Sequence, residues 1–104
     1  MSGLDNTSYT VRTVATTTTL TNNDSVLLVI GATGAVTVNL PAVATVQPGR
    51  EYTVYKDAAA QTITIDGSGA ETIDGGATTT LATGAIHAKT FITDGVAWFT
   101  VTAY

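Results

Sequence analysis

The stretch Ser25-Val26-Leu27-Leu28-Val29-Ile30-Gly31-Ala32-Thr33-Gly34-Ala35-Val36-Thr37-Val38-Asn39-Leu40-Pro41 decides the fold class. It opens on a nearly continuous apolar run, turns at Gly31 and Gly34, and resumes as strict alternation. Val36, Val38 and Leu40 oppose Thr37 and Asn39. A period of two puts alternate residues on opposite faces of a strand, whereas a helix needs apolar residues three and four apart. Pro41 stops the second strand because it has no amide proton for a ladder. Ser25–Ile30 reads as the central strand, and its continuous apolar run, Val26–Ile30, is far too short to span a bilayer.

The same punctuation continues downstream at intervals of about 8–12 residues, the rhythm of a sandwich or barrel. Ala42–Val46 reads as a short helical turn or an irregular crossover. Gln47-Pro48-Gly49-Arg50 is a turn in which proline fixes its own dihedral and glycine accepts a positive one. Glu51–Lys56 alternates, with Tyr52 and Val54 opposed to Thr53 and Tyr55. Thr62–Asp66 turns Ile63 and Ile65 inward. Further strands are predicted over Thr78–Leu81, Ile86–Thr93 and Ala97–Ala103, the last two joined by Asp94-Gly95 as a tight hairpin. In the final strand Phe99 and Val101 share a face with Ala97 and Ala103, and Trp98 takes the other. Upstream, residues 1–21 are rich in Ser, Thr and Asn, which suggests a loose arm or an extended edge strand that pairs with a partner. Asn22-Asn23-Asp24 is a turn signal. The expected architecture is all-β: a compact antiparallel sandwich or barrel-like domain of about eight short strands over residues 25–104, with an N-terminal arm over residues 1–24.

Composition agrees. At 104 residues the chain has room for one domain, and 44% apolar against 12% charged residues describes a folded chain. Threonine supplies roughly a fifth of the sequence, and β-branched residues suit a pleated surface. Net charge is −4, with Arg12, Arg50, Lys56 and Lys89 scattered singly. No basic patch is available to neutralise phosphates or anionic lipid, so neither nucleic acid nor membrane is an expected partner. Sparse charge also suggests a surface covered by copies of the chain or by another protein. Without cysteine there are no disulfides or thiolate metal sites. Met1–Asp5 shows no basic segment followed by an apolar run, so no secretory signal is expected and synthesis is expected in a cytoplasm.

Three places in the sequence are candidates for chemistry. His87, the one histidine, sits mid-strand without a nucleophile motif beside it, and is expected to be a strand residue rather than a base. Asp66-Gly67-Ser68-Gly69-Ala70-Glu71-Thr72-Ile73-Asp74-Gly75-Gly76 holds three of the eight acidic residues and four of the ten glycines. Asp66 and Asp74 invite comparison with a glycosidase carboxylate pair, and the glycine-rich segment with calcium loops. Each aspartate is followed by glycine, however, so two turns bracketing Glu71-Thr72-Ile73 are expected, with Ile73 as the inward anchor. Asp66, Gly67, Gly69, Asp74, Gly75, Asp94 and Gly95 are accordingly read as turn residues. Tyr55, Trp98 and Tyr104 are candidate surface aromatics, a use weighed against packing. No catalytic residue, cofactor or metal is expected.

The order of motifs resembles small β modules of tailed-bacteriophage virion proteins, notably the ends of tail fibres and head fibres. The residues that carry the resemblance are Val36-Thr37-Val38-Asn39-Leu40-Pro41, Gly49-Arg50-Glu51-Tyr52-Thr53-Val54-Tyr55-Lys56, Thr62-Ile63-Thr64-Ile65, Gly69-Ala70-Glu71-Thr72-Ile73-Asp74-Gly75 and Thr93-Asp94-Gly95-Val96-Ala97-Trp98. It covers about residues 25–104. What it implies is a homotrimeric structural protein without enzymatic activity. A single module with an arm looks like a capsid decoration (cement) protein, made in the host bacterial cytoplasm and carried on the virion's capsid surface. Its partners would be itself and the major capsid protein or another virion protein. Leu4, Tyr9, Val11, Arg12 and Val14 would be the arm's capsid or self-association residues. The alternative is a separately encoded head- or tail-fibre tip that binds a host surface glycan.

Overall fold

The computed structural model describes residues 10–59 and 61–104. Nine strands form among them: β1 Thr10–Val14, β2 Thr18–Thr19, β3 Asp24–Val29, β4 Val36–Asn39, β5 Glu51–Lys56, β6 Ile63–Asp66, β7 Thr78–Leu81, β8 His87–Thr93 and β9 Trp98–Ala103. They build a five-stranded sheet, β9-β8-β5-β3-β1, and a four-stranded sheet, β2-β4-β6-β7. The fold is all-β, as alternation required.

The pairing is mixed rather than antiparallel. From β1 to β6 the chain crosses to the other sheet at every connection. β1, β3 and β5 therefore lie parallel in one sheet, and β2, β4 and β6 lie parallel in the other. This part is a short flattened coil. β7 then pairs antiparallel with β6, and the β8–β9 hairpin pairs antiparallel with β5, which ends the coil. A period of two is the same in parallel and antiparallel strands; only the crossovers distinguish them.

One core lies between the sheets. The five-stranded sheet contributes Leu27, Val29, Tyr52, Val54, Phe91 and Trp98; the four-stranded sheet contributes Val36, Val38, Ile63, Ile65 and Leu81. Tyr52 and Trp98 meet edge to face at 5.7 Å. Ala42–Val46 resolves as a 3-10 turn at Val43–Thr45. At Gln47–Arg50, Gly49 has φ +90 and the Arg50 amide donates to the Gln47 carbonyl at 3.0 Å, as a proline–glycine turn predicts.

Residues 10–24, read from sequence as part of an arm, supply the edge strands β1 and β2 of the two sheets, and Leu20 is buried in the core. Leu4 and Tyr9 lie outside the described residues. Trp98 requires a correction. It is fully buried, not a surface aromatic, because β9 turns Trp98 inward and leaves Phe99 outward at 42% exposure.

Candidate functional site

The corner that the sequence marked, residues 66–76, is the first candidate. Ile73 and Gly76 exchange two backbone hydrogen bonds, 2.7 and 2.9 Å, around Asp74 and Gly75, whose φ values are +54 and +84. Two successive positive dihedrals make this a type I′ hairpin turn, which suits an Asp-Gly pair. Ile73 is buried and bridges to Trp98. The Asp74 amide donates to the Trp98 carbonyl at 3.0 Å, and the Trp98 amide to the Thr72 carbonyl at 2.9 Å.

Two of the three acidic side chains here hold backbone amides. The Asp74 carboxylate accepts the Thr100 hydroxyl at 2.6 Å and the Thr100 amide at 2.8 Å. Those two bonds hold its pKa below the usual carboxylate value. Glu71 reaches 28 residues back and accepts the Val43 amide on both oxygens, at 3.1 and 3.2 Å, at the start of the 3-10 turn. Asp66 is in register with Asn39 and Thr78 on the outer side of the four-stranded sheet. Gly67 must be glycine for contact reasons, since a Cβ there would sit 2.5 Å from the Glu71 carbonyl oxygen. The positive φ of Gly69, +57, is a turn requirement.

Asp94 closes the other predicted turn. Its carboxylate accepts the Val96 amide at 2.9 Å and the Ala97 amide at 3.0 Å, and the Ala97 and Val96 amides depress its pKa. Gly95 follows at φ +97, so the aspartate caps the loop and the glycine bends it.

A second group of polar residues is not apparent from spacing alone. Asp24, buried at the start of β3, accepts the Thr10 hydroxyl at 3.1 Å, the Thr21 amide at 2.9 Å and Arg12 Nη2 at 2.8 Å. Burial pushes this carboxyl up, but the Thr21 amide and the Arg12 and Thr10 side chains outweigh it, leaving the pKa below the ordinary value. Arg12, Val11 and Val14 thus belong to β1, with Arg12 paired inside the chain. Arg50 lies 4.1 Å over the Tyr52 ring and donates to the carbonyls of Asn22, at 2.8 Å, and of Asp24. The Tyr52 hydroxyl donates to the Thr21 carbonyl at 3.0 Å. Arg50 and Tyr52, both in the motif Gly49–Lys56, therefore fasten the 21–24 turn.

Lys56 ends the same motif and is 1% exposed. Its ammonium donates to the carbonyls of Asp57, Ala59 and Ala85 at 2.7, 3.0 and 3.1 Å, which uses all three protons. Asp57 beside it accepts the Gly31 amide at 2.9 Å and the Ala59 amide at 3.1 Å, and these two bonds lower its pKa. Buried amine and neighbouring carboxylate tie three loops together. The signal for both was present in the sequence as a lysine ending a strand before Asp57: alternation puts Lys56 on the face of Tyr52 and Val54, and only its charge argues for solvent.

The remaining candidates do not converge on a reaction centre. His87 opens β8, half-buried, with Nδ1 3.0 Å from the Tyr104 carbonyl oxygen, a hydrogen bond that needs the proton on that nitrogen. Tyr55 is half-buried on the outer side of β5, and Tyr104 is 77% exposed after β9. An open groove of about 380 Å³ lies over the Gln47–Arg50 turn, lined also by Ser25 and Glu51. Among the described residues no group of three or more His, Cys, Asp or Glu is placed to hold a metal ion. The fold and its polar clusters define a two-sheet all-β module in which charged side chains hold the module's own backbone. No family model matches the chain, and no curated protein matches it.

Proposed function

We propose that this chain is a structural protein of a bacteriophage virion, a capsid decoration protein that binds the shell as a homotrimer and stabilises it. One observation carries the reading: Asp24, Arg50, Lys56, Asp57, Glu71, Asp74 and Asp94 each bond backbone groups within the chain. Charged groups committed to turns and loops rigidify a module. The order of motifs that resembles virion modules supports the same reading, since those motifs contain most of these residues. A decoration protein adds contacts across the joints of a shell under internal pressure, and many symmetric copies multiply a modest affinity.

Labelled protein seen by electron microscopy on intact virions tests this. Label spread over the shell is the expected result. Label confined to a tail tip or head fibre overturns it in favour of a fibre tip, a reading favoured by the exposure of Phe99 and Tyr104 on and after β9. Absence from virions overturns both.

A further inference from the structure

The five-stranded sheet has an inner face in the core and an outer face that no other described element covers. Strand register places Val11, Val26, Leu28, Tyr55, Ile92 and Phe99 on that outer face. Val11 is 65% and Phe99 42% exposed, and the other four are half-buried by their sheet neighbours. Glu51, beside Ile92, is the one charged side chain among the described residues of these five strands that shares the face.

We infer that this face is where copies of this chain meet, an inference that stands apart from the decoration reading and from its number of copies. Two features point to a second copy. The face offers almost no charge to complement a charged partner, whereas an identical apolar face matches it, and Glu51, its one charge, is exposed at the start of its strand rather than amid the face. Its size also fits. Five strands about 4.8 Å apart and roughly 20 Å long give a face on the order of 500 Å². Two such faces brought together bury on the order of 1,000 Å², the area at which a specific interface becomes sustainable. The acidic groups responsible for the net negative charge lie mostly elsewhere, at the loops and on the other sheet, so they do not oppose this contact.

The test is the mass of the purified full chain in solution, by light scattering over a range of concentrations, with circular dichroism as the control for folding. The wild type is expected at a multiple of 10.6 kDa. Leu28→Lys is expected to reduce it to a single chain, and Thr64→Lys, on the outer side of the four-stranded sheet, to leave it unchanged. Val11→Lys and Phe99→Lys alter well-exposed side chains and decide the matter whatever Leu28→Lys does to folding. A wild type that stays at 10.6 kDa at every concentration overturns the inference, as do folded Val11→Lys and Phe99→Lys variants that both keep the wild-type mass. No capsid enters this measurement. Its failure leaves the location on the virion to be decided separately, and a protein missing from the shell does not alter the assignment of this face.

Discussion

The outer faces of the two sheets are built from the same alternation and finished in opposite ways. On the four-stranded sheet Thr37, Asn39, Thr64, Asp66, Thr78 and Thr80 stand in two rows with no large apolar side chain among them. On the five-stranded sheet the corresponding positions carry Val26, Leu28, Tyr55, Ile92 and Phe99 beside a few threonines. Threonine satisfies β-branching and presents a hydroxyl to water, so the first face is finished for solvent. The second has the composition of a face that is to be covered. The inner sides differ as well. Among the described residues the buried aromatics and the buried Asp24 and Lys56 belong to the five-stranded sheet, while the four-stranded sheet lines the core with Val, Ile and Leu. The five-stranded sheet is the frame, and the smaller one closes it.

The largest expected effect tests that division. Lys56→Met keeps the length of the side chain but leaves the carbonyls of Asp57, Ala59 and Ala85 without their donor. Each buried polar group left unsatisfied costs about 1–3 kcal/mol, and loops that relax toward water recover part of that, so a loss of about 3 kcal/mol is expected. Ile65→Val in the middle of the four-stranded sheet removes one methylene and should cost about 1 kcal/mol. Urea midpoints of the two variants measure the difference. Equal losses would show that Lys56 is not a fastening of the frame.

Acid is the next lever, and it also acts mainly on the frame. Asp24, Asp57, Asp74 and Asp94 all have pKa values lowered from an ordinary value of 3.8, chiefly because backbone amides or hydroxyls donate to them, with burial opposing this most at Asp24. A carboxyl whose folded pKa lies below its unfolded one stabilises the fold above the unfolded value. That contribution falls away as pH drops below 3.8 and through the depressed folded values, because the unfolded chain then takes up more protons. Thermal midpoints should therefore be flat near neutrality and fall below that point. Asp24→Asn should start from a lower midpoint and fall less steeply, since it keeps the shape but cannot titrate or pair as a charge with Arg12. An unchanged acid slope would remove Asp24 from the account.

Much of this was legible in the sequence. The strands at Glu51–Lys56 and Thr78–Leu81 match the predicted bounds, and the others predicted from Ser25 onward match to within a residue at each end. The corner at 66–76 has its turns at Ser68–Glu71 and Ile73–Gly76, with Asp74 receiving an amide proton, whereas Asp66 ends a strand rather than capping a turn. Pairing direction was not legible. It depends on which sheet a connection crosses to, and alternation carries no record of that. Trp98 was misplaced for a related reason. Alternation in β9 separates Trp98 from Phe99 but does not say which side faces inward, and both are large and apolar. At Thr10–Val14 and Thr18–Thr19 the sequence left a loose arm and an extended edge strand as alternatives, since a polar edge strand with one wet face offers little to bury. Lys56 and Arg50 were hidden because their partners are backbone carbonyls, which every residue has.

The smallest effect separates the two faces most directly. Thr53 and Thr90 sit opposite each other on the outer side of the five-stranded sheet, with hydroxyl oxygens 2.8 Å apart. Thr64 lies between Thr37 and Thr80 on the outer side of the four-stranded sheet. Valine is nearly the shape of threonine and is well accepted in strands, so Thr64→Val should stay within about 0.5 kcal/mol of the wild type at every protein concentration. Thr53→Val removes the partner of the Thr90 hydroxyl. While that face is wet, water replaces the lost bond and the cost is again about 0.5 kcal/mol. Once a second copy covers the face, the Thr90 hydroxyl is shut away from water and the cost rises to about 1–3 kcal/mol. Urea midpoints for the two valine variants should therefore coincide in dilute protein and separate as concentration rises. Midpoints that coincide throughout would mean both faces are wet, and the contrast between them would be one of composition alone.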